Sequence, residues 1–109
     1  MAVKSVPKSV QQRVEEAVER FNREVLARGG VRYVPRFKGP FLYLDREDFG
    51  TAEPICRLKY TGSFKDWEFA IFKYSSMTYD RHDWFFPGSE FVDGTIKGAM
   101  KAGMEAYPG

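Results

Sequence analysis

A chain of 109 residues, 43% of them hydrophobic, is too short for two cores and too apolar for wholesale disorder, so it holds one domain around a single two-layer core. One cysteine, Cys56, excludes an internal disulfide and any multi-cysteine metal site, and one histidine, His82, leaves no ligand set for zinc. The net charge of +2 does not by itself argue for nucleic acid, but residues 1–38 hold 9 Lys/Arg against 4 Glu while residues 39–109 hold 8 Lys/Arg against 11 Asp/Glu, which leans toward one basic face.

The opening MAVKSVPKSV lacks the apolar core of a secretory signal, and no run reaches the ~20 apolar residues of a membrane span, so the expected location is cytoplasmic, with no membrane partner. Residues 1–8 are expected to be a flexible arm and residues 9–109 a single domain. Ser9 followed three positions later by Gln12 reads as a capping box, and Val10, Val14, Ala17, Val18, Phe21 and Val25 recur at helical spacing. The helix is expected to stop at Gly29-Gly30, with Arg13, Glu16, Arg20, Arg23 and Glu24 on its solvated side.

Val31–Lys38 alternates Val31, Tyr33 and Phe37 against Arg32, Val34, Arg36 and Lys38, a strand with its cations on one side. Pro35 donates no ladder hydrogen bond, which predicts an edge strand or a bulge. After the turn Gly39-Pro40, residues 41–46 form a second strand and residues 47–53 a polar loop. Residues 54–75, PICRLKYTGSFKDWEFAIFKYS, read as a hairpin turning at Gly62-Ser63. In its first arm Cys56, Leu58 and Tyr60 face one way and Ile55, Arg57, Lys59 and Thr61 the other; in its second, Ala70, Phe72 and Tyr74 oppose Trp67, Phe69, Ile71 and Lys73.

Residues 76–83 read as irregular, followed by Trp84-Phe85-Phe86 and the turn Pro87-Gly88. A second helix is expected from Asp93, capped by Asp93 or by Ser89, with Val92, Ile96, Ala99, Met100, Gly103 and Tyr107 on one stripe and Pro108-Gly109 as its stop. Its small residues are unusual, since an interior helical glycine costs about 1 kcal/mol relative to alanine. Close approach of another backbone would offset that cost at Gly98, Ala102, Gly103 and Ala106, from the sheet beneath or from the same helix of a second subunit. The order of helix, four strands and helix predicts an α+β domain with a four-stranded antiparallel meander, helices on one face and the other face open.

No nucleophile elbow, P-loop or dinucleotide fingerprint is present, so no catalytic residue, cofactor or metal is assigned and the protein is read as non-enzymatic. Asp80, His82 and Asp83 form the one titratable cluster that includes a histidine; turn capping accounts for the aspartates, and a small-molecule or enzymatic role is the alternative. On the sheet, alternation brings Arg32, Arg36, Arg57, Lys59 and Lys73 among Phe41, Tyr43, Trp67 and Phe69. Cations that follow a phosphate backbone, set among rings on which bases stack, suit a single-stranded nucleic acid. Exposed aromatics that bury against a protein partner are the competing reading.

The segments PICRLKYTG, WEFAIFKYS, DWFFPG and DGTIKGAMKAGMEAY resemble a family of small uncharacterised bacterial proteins, cyanobacterial ones included. The fold of that family is similar to that of the single-stranded-DNA-binding transcriptional regulators, among them the positive-cofactor-type coactivator and the plant Whirly proteins. The resemblance implies a homodimer that uses Gly98, Ala102, Gly103 and Ala106 for close helix contact, and a strand surface that meets single-stranded nucleic acid. The long N-terminal helix departs from the minimal coactivator domain. Fold likeness does not carry function across, and each binding residue named above comes from alternation.

Overall fold

Apolar residues at every second strand position and at every third or fourth helical position give each element one face to bury, and the chain buries them against one another. The computed structural model describes residues 4–26 and 29–108. The elements are α1 (Lys8–Glu24), β1 (Val31–Lys38), β2 (Phe41–Asp48), β3 (Thr51–Ser63), β4 (Asp66–Lys73), β5 (Thr78–Asp80) and α2 (Ile96–Ala106). The strands form one antiparallel sheet in the order β1-β2-β3-β4-β5, so the expected α+β meander is present with five strands rather than four. No described helix is long and apolar enough to cross a membrane.

β5 falls in the stretch read as irregular. Three residues are too few to carry a visible alternation, and the turn before it is made by Met77 at φ 55°, a residue with no turn signature. Likewise the polar loop expected over residues 47–53 is a two-residue turn: Asp48 pairs with Thr51 across Phe49-Gly50, at φ 51° and 89°. Two consecutive positive φ values match the twist of the flanking strands. The Phe49 ring lies where a side chain at Gly30 would meet it at 3.1 Å.

α1 starts at Lys8 after Pro7, and the Ser9/Gln12 capping box does not form. Instead Gln11 Nε2 donates to the Val6 carbonyl at 3.0 Å and Gln11 N–H to the Pro7 carbonyl at 2.9 Å. The expected arm is anchored over its described part, because Val6 is buried and its N–H donates to the Gly39 carbonyl at 3.1 Å; residues 1–3 lie outside the described residues. Val10, Val14, Val18 and Phe21 are buried as the periodicity predicts and Ala17 is partly buried, but Val25, just past the end of α1, is 56% exposed. The helix ends at Glu24, before Gly29-Gly30, and Gly30 at φ 68° turns the chain into β1.

α2 is capped neither by Asp93 nor by Ser89 but by Thr95, whose Oγ1 accepts from Gly98 N–H at 3.0 Å. Asp93 supports that cap, its Oδ1 accepting from the Thr95 N–H at 3.0 Å and hydroxyl at 2.5 Å, and the Thr95 bonds hold its carboxyl below the usual range. The small residues of α2 are accounted for within one chain. A Cβ on Gly103 would sit 2.5 Å from Tyr33 Oη and 2.6 Å from Ile55 Cγ2, and one on Gly98 would collide with the Phe91 carbonyl and the Asp93 carboxylate. Ala102 is fully buried and Ala106 packs against the core. The close approach is thus that of the sheet and the preceding loop; contact with another α2 would have to use the exposed side that carries Lys97, Lys101 and Glu105. At its C-terminal end Arg46 of β2 donates to the Tyr107 carbonyl, a cation where the helix dipole favours one.

Candidate nucleic-acid interface

Residues opposite each other in an antiparallel ladder point to the same side of the sheet, so register sorts the strand residues between two faces. Leu42, Leu58 and Phe69 form one row across β2, β3 and β4, with Cys56 opposite Ile71 and Tyr60 opposite Trp67 on the same side. These side chains are the core under the helices. The other side carries the row Arg36, Tyr43, Arg57 and Ala70, and beside it Lys38, Phe41, Lys59 and Glu68; Arg32 lies opposite Glu47, and Phe72 opposite Tyr79. Among the described residues no helix covers that side.

Five of the eight residues expected to meet nucleic acid therefore share the open face: Arg32, Arg36, Tyr43, Arg57 and Lys59. Trp67, Phe69 and Lys73 do not. Trp67 is 3% exposed, with its indole N–H donated to the Phe64 carbonyl at 2.8 Å; Phe69 is 5% exposed and stacks 5.8 Å from Phe86. The ammonium of Lys73 lies 2.8 Å from Asp83 and 3.5 Å from Asp80. On β4, Asp66 and Glu68 alternate with Trp67 and Phe69, a pattern that already turns the two rings away from the acidic side, and the pairing with β3 places them in the core.

The rings that stand among the cations are Phe41, Tyr43, Tyr79 and Phe72. The Arg57 guanidinium lies 4.5 Å from the Phe41 ring centre and 5.3 Å from that of Tyr79, and Arg36 lies 4.4 Å from Tyr43. Tyr43 and Tyr79 meet edge to face at 5.4 Å, and Phe72 meets Tyr79 the same way at 5.0 Å. Tyr79 was missed because it sits on β5, where nothing in the sequence marks a strand. Burial, and secondarily the Asp45 charge, pushes its hydroxyl up to about 12.

The cations are not equivalent. Arg36 is tied to Asp45 at 3.1 Å, a bond that raises its own pKa, and the other Asp45 oxygen is buried with no partner among the described residues. Arg57, Lys59, Lys38 and Arg32 lie within 4.0 Å of no carboxylate among the described residues, although Glu68 is opposite Lys59 and Glu47 opposite Arg32. A guanidinium held flat by two rings and free of an ion pair is set to meet an anion.

The Asp80, His82 and Asp83 cluster is arranged around Lys73. The His82 N–H, donated to Asp80 Oδ1 at 2.9 Å, holds the Asp80 carboxyl down, and the Lys73 ammonium does the same for Asp83. The His82 ring is exposed and accepts from Arg81 Nε at 3.3 Å. Among the described residues no three His, Cys, Asp or Glu side chains gather as a metal would need. Cys56 is buried, and burial pushes its thiol up, away from the thiolate a nucleophile requires.

No protein-family model matches this chain, and no curated protein or solved structure matches it.

Proposed function

We propose that the open sheet face binds single-stranded nucleic acid, with Arg57, Lys59, Lys38 and Arg32 on the phosphate backbone and Phe41, Tyr43 and Tyr79 as the stacking surface. The observation that carries this reading is the Arg57 guanidinium lying over Phe41 and near Tyr79, with no carboxylate within 4.0 Å among the described residues, on a face that no described helix covers. Duplex bases hide their faces in the stack, so rings on a sheet favour single strands. Each stacked base contributes roughly 1–3 kcal/mol, and Phe41, Tyr43 and Tyr79 are half-buried, each with part of its ring left at the surface. Arg36 contributes less, because Asp45 already neutralises it.

The test is fluorescence anisotropy with labelled single-stranded and duplex DNA and RNA at two salt concentrations. Single strands should bind more tightly than duplex and should weaken as salt rises. Arg57→Ala with Lys59→Ala should flatten the slope of log affinity against log salt by about 1.4, the value for two lost phosphate contacts on a single strand. An unchanged slope would sink the site assignment.

One observation supports a second reading, capture of a protein partner: Phe85 is 98% exposed beside the half-exposed Trp84. That reading gives binding lost in Trp84→Ser with Phe85→Ser and indifferent to nucleic acid.

A further inference from the structure

The open face is not uniformly flat. Between β3 and the chain that follows β5 lies a depression of about 130 Å³, lined by Phe41, Arg57, Lys59, Glu68, Phe69, Ala70 and Arg81. Ala70 faces Arg57 across the ladder and is 3% exposed, a small side chain beneath the guanidinium's strand position. At ~30 Å³ per water, the space equals about four waters, room enough for one phosphate group.

Three cations and one carboxylate give the depression a net charge of +2. A phosphodiester inside a strand carries a single charge, whereas a phosphate monoester carries about −1.5 to −2 at pH 7. The charge of the depression matches the monoester. Among the described residues none of Arg57, Lys59 and Arg81 lies within 4.0 Å of a carboxylate oxygen. Arg57 lies against the Phe41 and Tyr79 rings before any ligand arrives, and the exposed Arg81 donates its Nε–H to the exposed His82 ring at 3.3 Å.

We propose that Arg57, Lys59 and Arg81 form a seat for a terminal phosphate, so that the sheet face takes the phosphorylated end of a single strand, with the first bases lying toward Tyr43 and Tyr79. The proposal rests on the nucleic-acid reading of this face and adds which part of the strand it selects.

The experiment compares one labelled oligonucleotide sequence with a 5′ phosphate, a 3′ phosphate or hydroxyls at both ends, against the wild-type chain and Arg81→Gln, with inorganic phosphate as a separate competitor. One phosphorylated end should bind about tenfold more tightly than the hydroxyl-ended strand at pH 7.5, and that gain should shrink at pH 5, where the monoester loses its second charge. Arg81→Gln should abolish the gain and leave hydroxyl-ended binding within about twofold, since Arg81 is the one cation of the seat not assigned to the phosphate backbone of the strand. Equal affinity for all three strands would overturn the terminal seat while leaving strand binding in place. If no strand binds, both readings fall. Inorganic phosphate that binds without any strand binding would mark a free-anion site and overturn the strand-end assignment.

Discussion

Asn22 of α1 stands in for a neighbouring strand at Tyr33: its side-chain nitrogen donates to the Tyr33 carbonyl at 2.9 Å and its oxygen accepts the Tyr33 N–H at 2.8 Å. β1 is an edge of the sheet, and its outward-pointing backbone groups would otherwise be free to pair with another chain. Two residues along, at the next outward position, Pro35 has no N–H to offer. The edge is thus closed twice, once by a side chain and once by an imino acid.

Replacing Asn22 by Leu should leave two partly buried backbone groups unpaired and cost roughly 1–3 kcal/mol. Chemical denaturation reads the stability, and sedimentation at rising concentration should show association through the opened β1 edge. A variant as stable and as monodisperse as the parent chain would refute the strand-mimic role.

Gly103→Ala separates packing within the chain from packing between chains. The helix itself gains about 1 kcal/mol from alanine, but the new methyl meets Tyr33 Oη at 2.5 Å and Ile55 Cγ2 at 2.6 Å, and overpacking of that kind costs about 1–3 kcal/mol. The expected outcome is a net loss in denaturant melts at any protein concentration. Tyr33 Oη also donates to the Met100 carbonyl at 2.8 Å, so Tyr33→Phe destabilises alone and should recover part of the loss when combined with Gly103→Ala, a coupling that a double-mutant cycle measures.

The two faces of the sheet should separate stability from binding. Trp67→Ala removes a core ring and should cost about 3–5 kcal/mol of stability, with strand affinity of the folded fraction unchanged. Tyr43→Ala should do the reverse, losing roughly 1–3 kcal/mol of single-strand affinity for a small change in melting. Affinity lost in Trp67→Ala and kept in Tyr43→Ala would reverse the face assignment.

Stability should hold from about pH 4 to pH 9 and fall on either side. Asp80 and Asp83 have folded pKa values below their ordinary 3.8, so their contribution is present above that value and disappears as acid protonates them. Cys56 and Tyr33 are raised by burial from 9.0 and 10.0, so the unfolded chain releases their protons first and stability drops as pH climbs past 9. Cys56→Ala should delay the alkaline fall to about pH 10, as measured by urea midpoints across the range.

Much of this molecule is local and was readable from residue order. The stripe of Val10, Val14, Val18 and Phe21 buries as its spacing says, Pro35 marks an edge strand, and Arg32, Arg36, Arg57 and Lys59 share a face because strand side chains alternate. What residue order left open is what depends on partners far along the chain. On β4 the acids Asp66 and Glu68 mark the side opposite Trp67 and Phe69, but Ala70, Ile71 and Phe72 are apolar in succession, and the register against β3 is what brings Ala70 beside Arg57 in the lining of a cationic depression. β5 is too short to show a period, and its Tyr79 completes the aromatic cluster only once it pairs with Phe72. The glycines of α2 announced a close approach without naming the neighbour, because a missing side chain records how much room is needed and not what fills it; the fold fills it with Tyr33 and Ile55.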